Sequence, residues 1–231
     1  MNEMTQFQLF FIENDVMLRL SSFVILLFIL MGLQKFWPRR LSEQASSCRH
    51  VNNILLSLIN IIAVRLLVPL ALFDAAIYTS KNNIGFLNLV EMPFSIDILL
   101  TLIIFDLLIY TQHVITHKIN FLWRIHRIHH IDQEIDVTTG IRFHPFEIVL
   151  SAFYKILAVI LIGPTAFAII VYEILLNAAA LFTHSNILIN PKLDKYLRIF
   201  IVTPDMHRIH HSANRDETDS NYGNILSSWD K

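Results

Sequence analysis

Five long apolar runs dominate this 231-residue chain and set what it can fold into. They cover residues 17–33, 54–78, 96–111, 146–162 and 165–182. Each is about 16–25 residues long, close to what a helix rising 1.5 Å per residue needs to cross a hydrocarbon core. A single such run would equally suit the buried core of a soluble domain; five in so short a chain do not. A hydrophobic content of 54% against 16% charged residues agrees with the membrane class. Gly163-Pro164 separates the last two runs and predicts a tight hairpin with both ends on the same side. The expected architecture is an all-α integral-membrane helical bundle of four to five membrane segments, two of them forming the hairpin. Residues 1–16 carry Glu3, Glu13 and Asp15 but no basic residue, so the first run reads as a retained helix rather than a cleavable signal.

Lysine and arginine orient the bundle. Lys35, Arg39, Arg40 and Arg49 follow the first run, whereas Arg19 alone lies at its start and Lys81 alone lies within 79–95. This count places 35–53 in the cytosol and 79–95 outside. The third run then returns to the cytosol where His113 begins, and the hairpin starts and ends there. Arg65 interrupts the second run. Snorkelling, or pairing with Asp106, accounts for it better than a headgroup contact does. A net charge of −1 gives no footprint for nucleic acid. The single cysteine, Cys48, excludes an intrachain disulfide and a four-cysteine iron–sulfur centre.

Eleven histidines in so apolar a chain need a cause. Asp106, Tyr110, His113 and His117 share one helical face. His-Arg-Ile-His-His occurs twice, as His126, His129 and His130 and again as His207, His210 and His211. Positions i, i+3 and i+4 could present three imidazoles to a common point. A lone His-x-x-x-His pair is weak evidence for a metal, because it often lies on a solvated face; two such triads and a pair are strong evidence. These eight histidines exceed what one ion can hold, since zinc takes four ligands and octahedral iron six. A zinc peptidase needs a glutamate between its histidines, and Val114, Ile115 and Thr116 stand there instead. The Glu-x-x-His pairs of a carboxylate di-iron bundle are absent. A di-iron centre held mainly by neutral histidines remains. The rival classes are a membrane metal-binding protein and a zinc hydrolase, both without oxygenase activity.

From about residue 94 to its end the sequence resembles the fatty acid hydroxylase / sterol desaturase superfamily. The resemblance rests on the three clusters with Trp123, on Arg142-Phe143-His144-Pro145 and Glu147, on His184 and Asn186, on Pro204, and on Asp219, Asn221, Tyr222, Gly223 and Trp229-Asp230. It implies a division into membrane helices, 1–93, and a di-iron domain, 94–231, whose cytosolic helical cap carries the metals. The implied ligands are His113, His117, His126, His129, His130, His184, His207, His210 and His211. Asp106, Tyr110, His144, Asp219 and Asn221 stand as residues supporting those ligands, with a direct ligand role for His144 left open and a contact to metal-bound water for Asn221. Gly223 fits a backbone turn. The implied cofactors are two iron ions, which zinc can displace, with O2 as co-substrate. The implied partners are a membrane lipid, as substrate for hydroxylation or desaturation, and a separate electron donor of cytochrome b5 or ferredoxin type. The chain stops at Trp229-Asp230-Lys231, short of the Phe-Gly-Thr stretch usual in this family, which reads as a truncation.

Overall fold

Each apolar run becomes helix, because a backbone in hydrocarbon must satisfy its own N–H and C=O groups. The computed structural model describes residues 6–41, 46–132 and 134–231; Glu3 lies outside them. In order come α1 (Gln6–Glu13), α2 (Asp15–Phe36), α3 (Ser46–Leu67), α4 (Leu72–Lys81), α5 (Phe94–Lys118) and α6 (Asn120–His130). They are followed by α7 (Pro145–Ile162), α8 (Ala166–His184), α9 (Pro191–Leu197), α10 (Pro204–His210) and α11 (Arg215–Thr218). Five stretches are long and apolar enough to span a membrane: Asp15–Phe36, Ser47–Leu89, Phe94–Lys118, Pro145–Ile162 and Ala166–His184. α2 and α3 turn many large apolar side chains outward, among them Ile25, Phe28, Leu58 and Ile62. Such apolar surface requires lipid. The chain is an all-α integral membrane protein.

Two of the expected runs are altered. The first is preceded by α1, whose Phe7 and Phe11 pack on Phe167 of α8. The second divides. Pro69 has no N–H and holds Val68 away from helical backbone, so α3 ends at Leu67 and α4 starts at Leu72. The break leaves Arg65 exposed in the last turn of α3 rather than at a helix centre. Its expected pairing with Asp106 is not made: the Asp106 carboxylate is taken by Ile225 N, Leu226 N and Trp229 Nε1 at 3.2, 3.0 and 2.8 Å. The membrane-facing charge that does find partners is Arg19, bound to Asp15 and, at 2.6 Å, to Glu173 of α8.

α8 is the central post, packed by α1, α2, α4, α5 and α10. The core joins Ala75 and Ala76 of α4, Phe105 of α5, Val159 of α7 and Tyr172 of α8. The α7–α8 turn is tight as expected, but α4 packs against both arms. Both arms end beside the histidines, as do the end of α2 and the start of α3.

Gly163 closes α7 at φ 70°, in left-handed backbone that suits glycine, and its N–H reaches Val159 O at 2.8 Å. A Cβ there would sit 2.6 Å from both Ile84 O and Asn88 Nδ2. Gly163→Ala therefore combines backbone strain with a backbone clash, together worth about 2–3 kcal/mol. A fall of roughly 5–10 °C in melting temperature is expected in detergent. An unchanged melting temperature would show that the loop carrying Ile84 is not seated on this turn.

Candidate metal centre

The last two turns of α5 carry His113 and His117, and α6 brings His126, His129 and His130 back against them. α8 ends on His184, while α10 supplies His207 and His210 and its C-cap is His211. All nine imidazoles meet at one end of the bundle in two groups. His113, His117, His126, His130 and His210 form one; His129, His184, His207 and His211 form the other. Within each group the available ligand nitrogens lie within 4.8 Å of one another. The structure thus brings together every histidine expected as a ligand, His184 included.

One expectation fails in detail: neither pentapeptide aims its three imidazoles at a common point. In each, the i, i+4 pair joins one group and the i+3 histidine joins the other. Helical geometry explains the division. Positions i and i+4 differ by about 40° around the axis, whereas i+3 and i+4 are about 100° apart. The two triads exchange roles, so α6 gives two imidazoles to the first group and one to the second, and α10 the reverse.

Backbone and carboxylate acceptors fix the rings. Nδ1 of His113 lies 2.7 Å from Tyr222 O, that of His129 3.0 Å from Arg142 O, and that of His184 2.7 Å from Ala180 O. His210 Nδ1 lies 2.7 Å from Ser220 O, and His126 Nδ1 2.6 Å from the Glu147 carboxylate. These acceptors require the proton on Nδ1, so Nε2 presents a lone pair. Burial, reinforced by neighbouring imidazoles, pushes His129, His130, His207, His210 and His211 far below the ordinary histidine value, and they stay neutral.

Those lone pairs face one another. Where both rings are so fixed, Nε2–Nε2 is 2.9 Å for His184–His129 and 3.0 Å for His210–His113. His207–His184 at 3.0 Å, and His130–His126 and His211–His184 at 3.2 Å, each set one fixed ring against a ring whose Nδ1 has no partner. Two acceptors at this range repel unless a cation lies between them. Ligand nitrogens about 2.1 Å from a metal and at right angles to each other are about 3.0 Å apart, so the donor set fits metal ions.

The supporting residues meet expectation unevenly. Asp106 orients no imidazole; it anchors the 225–229 segment. Asp219 Oδ1 is 3.5 Å from His117 Nδ1, with Lys118 at 3.0 Å holding its other oxygen. His144 is in neither group and caps α7, accepting from Phe146 N at 3.0 Å. Asn221 bonds Ser220 Oγ at 2.9 Å, and its own left-handed backbone (φ 52°) forms the turn that offers Ser220 O and Tyr222 O to His210 and His113. Tyr110 packs edge-on against Tyr222, ring centroids 6.3 Å apart. Gly223 is required by close approach: a Cβ would lie 2.8 Å from Asp230 Oδ2, whose carboxylate holds Tyr222 N and Gly223 N. Glu147 had no predicted role. Its place three residues after His144 on α7 was the available signal.

Residues 98–231 match the family model described as "Fatty acid hydroxylase". Alkylglycerol monooxygenase of Homo sapiens is 32% identical over 123 residues, which is 53% of this chain and 26% of that protein. The Danio rerio protein of that name is 32% identical over 127 residues, 54% of this chain and 27% of that protein. Ornithine lipid hydroxylase OlsE of Rhizobium tropici is 27% identical over 141 residues, covering 61% and 42% respectively. The matched stretch thus spans about a quarter of the alkylglycerol monooxygenases. No solved structure matches the chain.

Glu147→Ala removes the acceptor that holds His126 and should weaken metal retention by about 10–100-fold. Glu147→Gln keeps an acceptor oxygen and should lose less. Competition against a graded chelator reads both; equal retention by Glu147→Ala and the parent chain would rule out the orienting role.

Proposed function

The chain belongs to the fatty acid hydroxylase family, and on that premise we propose that it is a membrane-bound, non-haem di-iron oxygenase that hydroxylates or desaturates a lipid. The observation that carries this reading is the pair of histidine groups with inward-facing Nε2 lone pairs. His113, His117, His126, His130 and His210 hold one iron; His129, His184, His207 and His211 hold the other. The bound irons supply O2 activation and attack on a C–H bond, with electrons from a separate donor of cytochrome b5 or ferredoxin type. The chain's own residues do the rest. Glu147 and the carbonyls of Arg142, Ala180, Ser220 and Tyr222 keep five of the nine rings turned so that Nε2 faces a metal. Burial of the cluster excludes bulk water from the reacting carbon. Residues 94–231 form the di-iron unit, and 1–93 supply the helices that seat it in the bilayer. Lys35, Arg39, Arg40 and Arg49 share the metal end of the bundle, which supports placing that end in the cytosol.

His129→Ala and His210→Ala each remove one ligand from a different group. Both variants should insert normally yet fall from about two irons per chain and lose oxidation together. Metal analysis of purified protein measures the first effect. Lipid mass spectrometry of cells with and without the chain measures the second, as new species shifted by one added oxygen or two lost hydrogens. One zinc per chain with no such shift, in protein loaded with iron, would favour the hydrolase instead.

A further inference from the structure

A cleft of about 1370 Å³ opens beside the metal centre, and its wall includes His130 and His211, one imidazole from each group. Its rim is basic. Lys35 lies in the last turn of α2, Arg39 and Arg40 follow directly, and Arg208 projects from α10 between the histidines of the second triad. Of the carboxylates on this cleft, Asp136 is occupied by Arg49 and His50, and Glu134 and Glu217 also border it. Asp205 is the carboxylate the arginine cluster shares, 3.1 Å from Arg39 and 3.6 Å from Arg208. Arg208 is the telling member. Its side chain is only 10% exposed, and its Nε has no hydrogen-bond partner. Burial lowers its pKa; Asp205 opposes this, and the nearby Arg40 and Arg39 add to it. Among the described residues lining the cleft, six lysines and arginines face four carboxylates, which leaves positive charge in excess in a concave site where an anion can be bound by charge-assisted, bidentate hydrogen bonds.

The basic segment is held rigidly. Arg39 N donates to Asn186 O at 2.9 Å and Leu188 N to Trp37 O at 2.8 Å. The Asn186 side chain accepts from Arg40 N at 3.1 Å and donates to Arg40 O at 2.7 Å. Little ordering is left for an arriving anion to impose. The rim also sits where α2 leaves its membrane span, at the depth where lipid phosphates lie. Met31, Ile131, Ile135 and Ile209 line the same cleft and offer an apolar path past the anion site.

We infer that this cleft takes the anionic, phosphate-type head of the lipid substrate, so that the chain acts on an acidic amphiphile and oxidises it near its polar end. The inference rests on the oxygenase reading for what happens at the metals. Arg208 and His211 are three residues apart, about 5–6 Å between Cβ atoms. A head held by Arg208 is therefore only a few bonds from carbons lying against His211. That proximity makes the anion part of the substrate and not a lipid of the surrounding bilayer. The concavity and apolar lining fit an amphiphile better than the flat acidic face of a protein electron donor.

Binding is measured on the full iron-loaded chain in neutral detergent, by native mass spectrometry, with iron counted on the same samples. The probes are dioctanoyl phosphatidic acid, dioctanoylglycerol and inorganic phosphate. Phosphatidic acid should bind at least about tenfold more tightly than the glycerol with the same chains. Arg40→Gln/Arg208→Gln should cut that preference to about threefold or less. Arg39→Gln/Arg40→Gln, whose substitutions lie outside the histidine helix, should do the same with iron content unchanged. No preference for phosphatidic acid, or a preference that survives both double variants, overturns the inference. Inorganic phosphate binding as tightly as phosphatidic acid overturns it too, because a soluble anion would then suffice. So do variants that keep the preference but are reduced more slowly by an acidic ferredoxin; the rim would then belong to the donor. Protein that binds no iron yet keeps the preference, and loses it in the variants, supports the anionic site and refutes the oxygenase reading alone.

Discussion

Nine imidazoles gathered at one end of a helical bundle, seven of them buried and most with Nε2 turned on that of a neighbour, are the constraint to which the rest of the structure answers. Each pair of acceptors near 3 Å is unfavourable by itself, and a shared cation reverses the sign. Tautomer control decides the matter. A ring whose Nδ1–H is already committed to a carbonyl or carboxylate cannot relieve the repulsion by donating from Nε2. The hydrogen bonds of His113, His126, His129, His184 and His210 therefore do more than position rings; they leave the cluster able to bind metal without rearrangement.

Holding those acceptors in place accounts for much of the remaining architecture. Ser220 O and Tyr222 O reach two rings because Asn221 turns the backbone between them. That turn is secured by Asp230, and the segment beyond it by Asp106, buried on α5. Arg142 O reaches His129 because the Arg142 guanidinium donates to Asn53 Oδ1 at 2.7 Å and Ile128 O at 2.8 Å. Asn53 is fully buried and also donates to Thr138 Oγ1 at 2.9 Å. Through it α3, a membrane helix, grips the loop between α6 and α7. The membrane helices thus form one packed body with the histidine helices.

Much of this was legible in the sequence because membrane helices and helical histidine spacing are both local periodicities. The five runs, the hairpin at Gly163-Pro164 and all nine histidines could be read from residues alone or from family resemblance. What escaped was whatever depends on partners far along the chain. The division of each pentapeptide between two groups needs the neighbouring helices, although the angular offset of the i+3 position hinted at it. Asp106 looked like an imidazole partner because it shares a helical face with His113, but its partners lie more than a hundred residues later. Backbone carbonyls have no sequence signature, so four of the five ring acceptors were invisible. Pro69 was visible, yet the uniformly apolar residues around it masked the break it causes.

The basic segment after α2 shows how one set of charges can meet several requirements. As sequence, Lys35, Arg39, Arg40 and Arg49 serve only to orient the bundle. In the structure, Arg39 pairs with Asp205 and Arg49 with Asp132 and Asp136, joining the first two membrane helices to the elements that carry the histidines. Pro38 pairs with Ile187 in an isolated antiparallel bridge just beyond His184. Residues that hold a helix end in the aqueous phase are therefore also those that fix its distance from the metal groups. A topology signal, a tertiary clamp and a charged cleft rim coincide because all three need cations at the membrane surface on the histidine side. Reversing the bundle in the bilayer would set the cations that face the metal centre against the rule that placed them there.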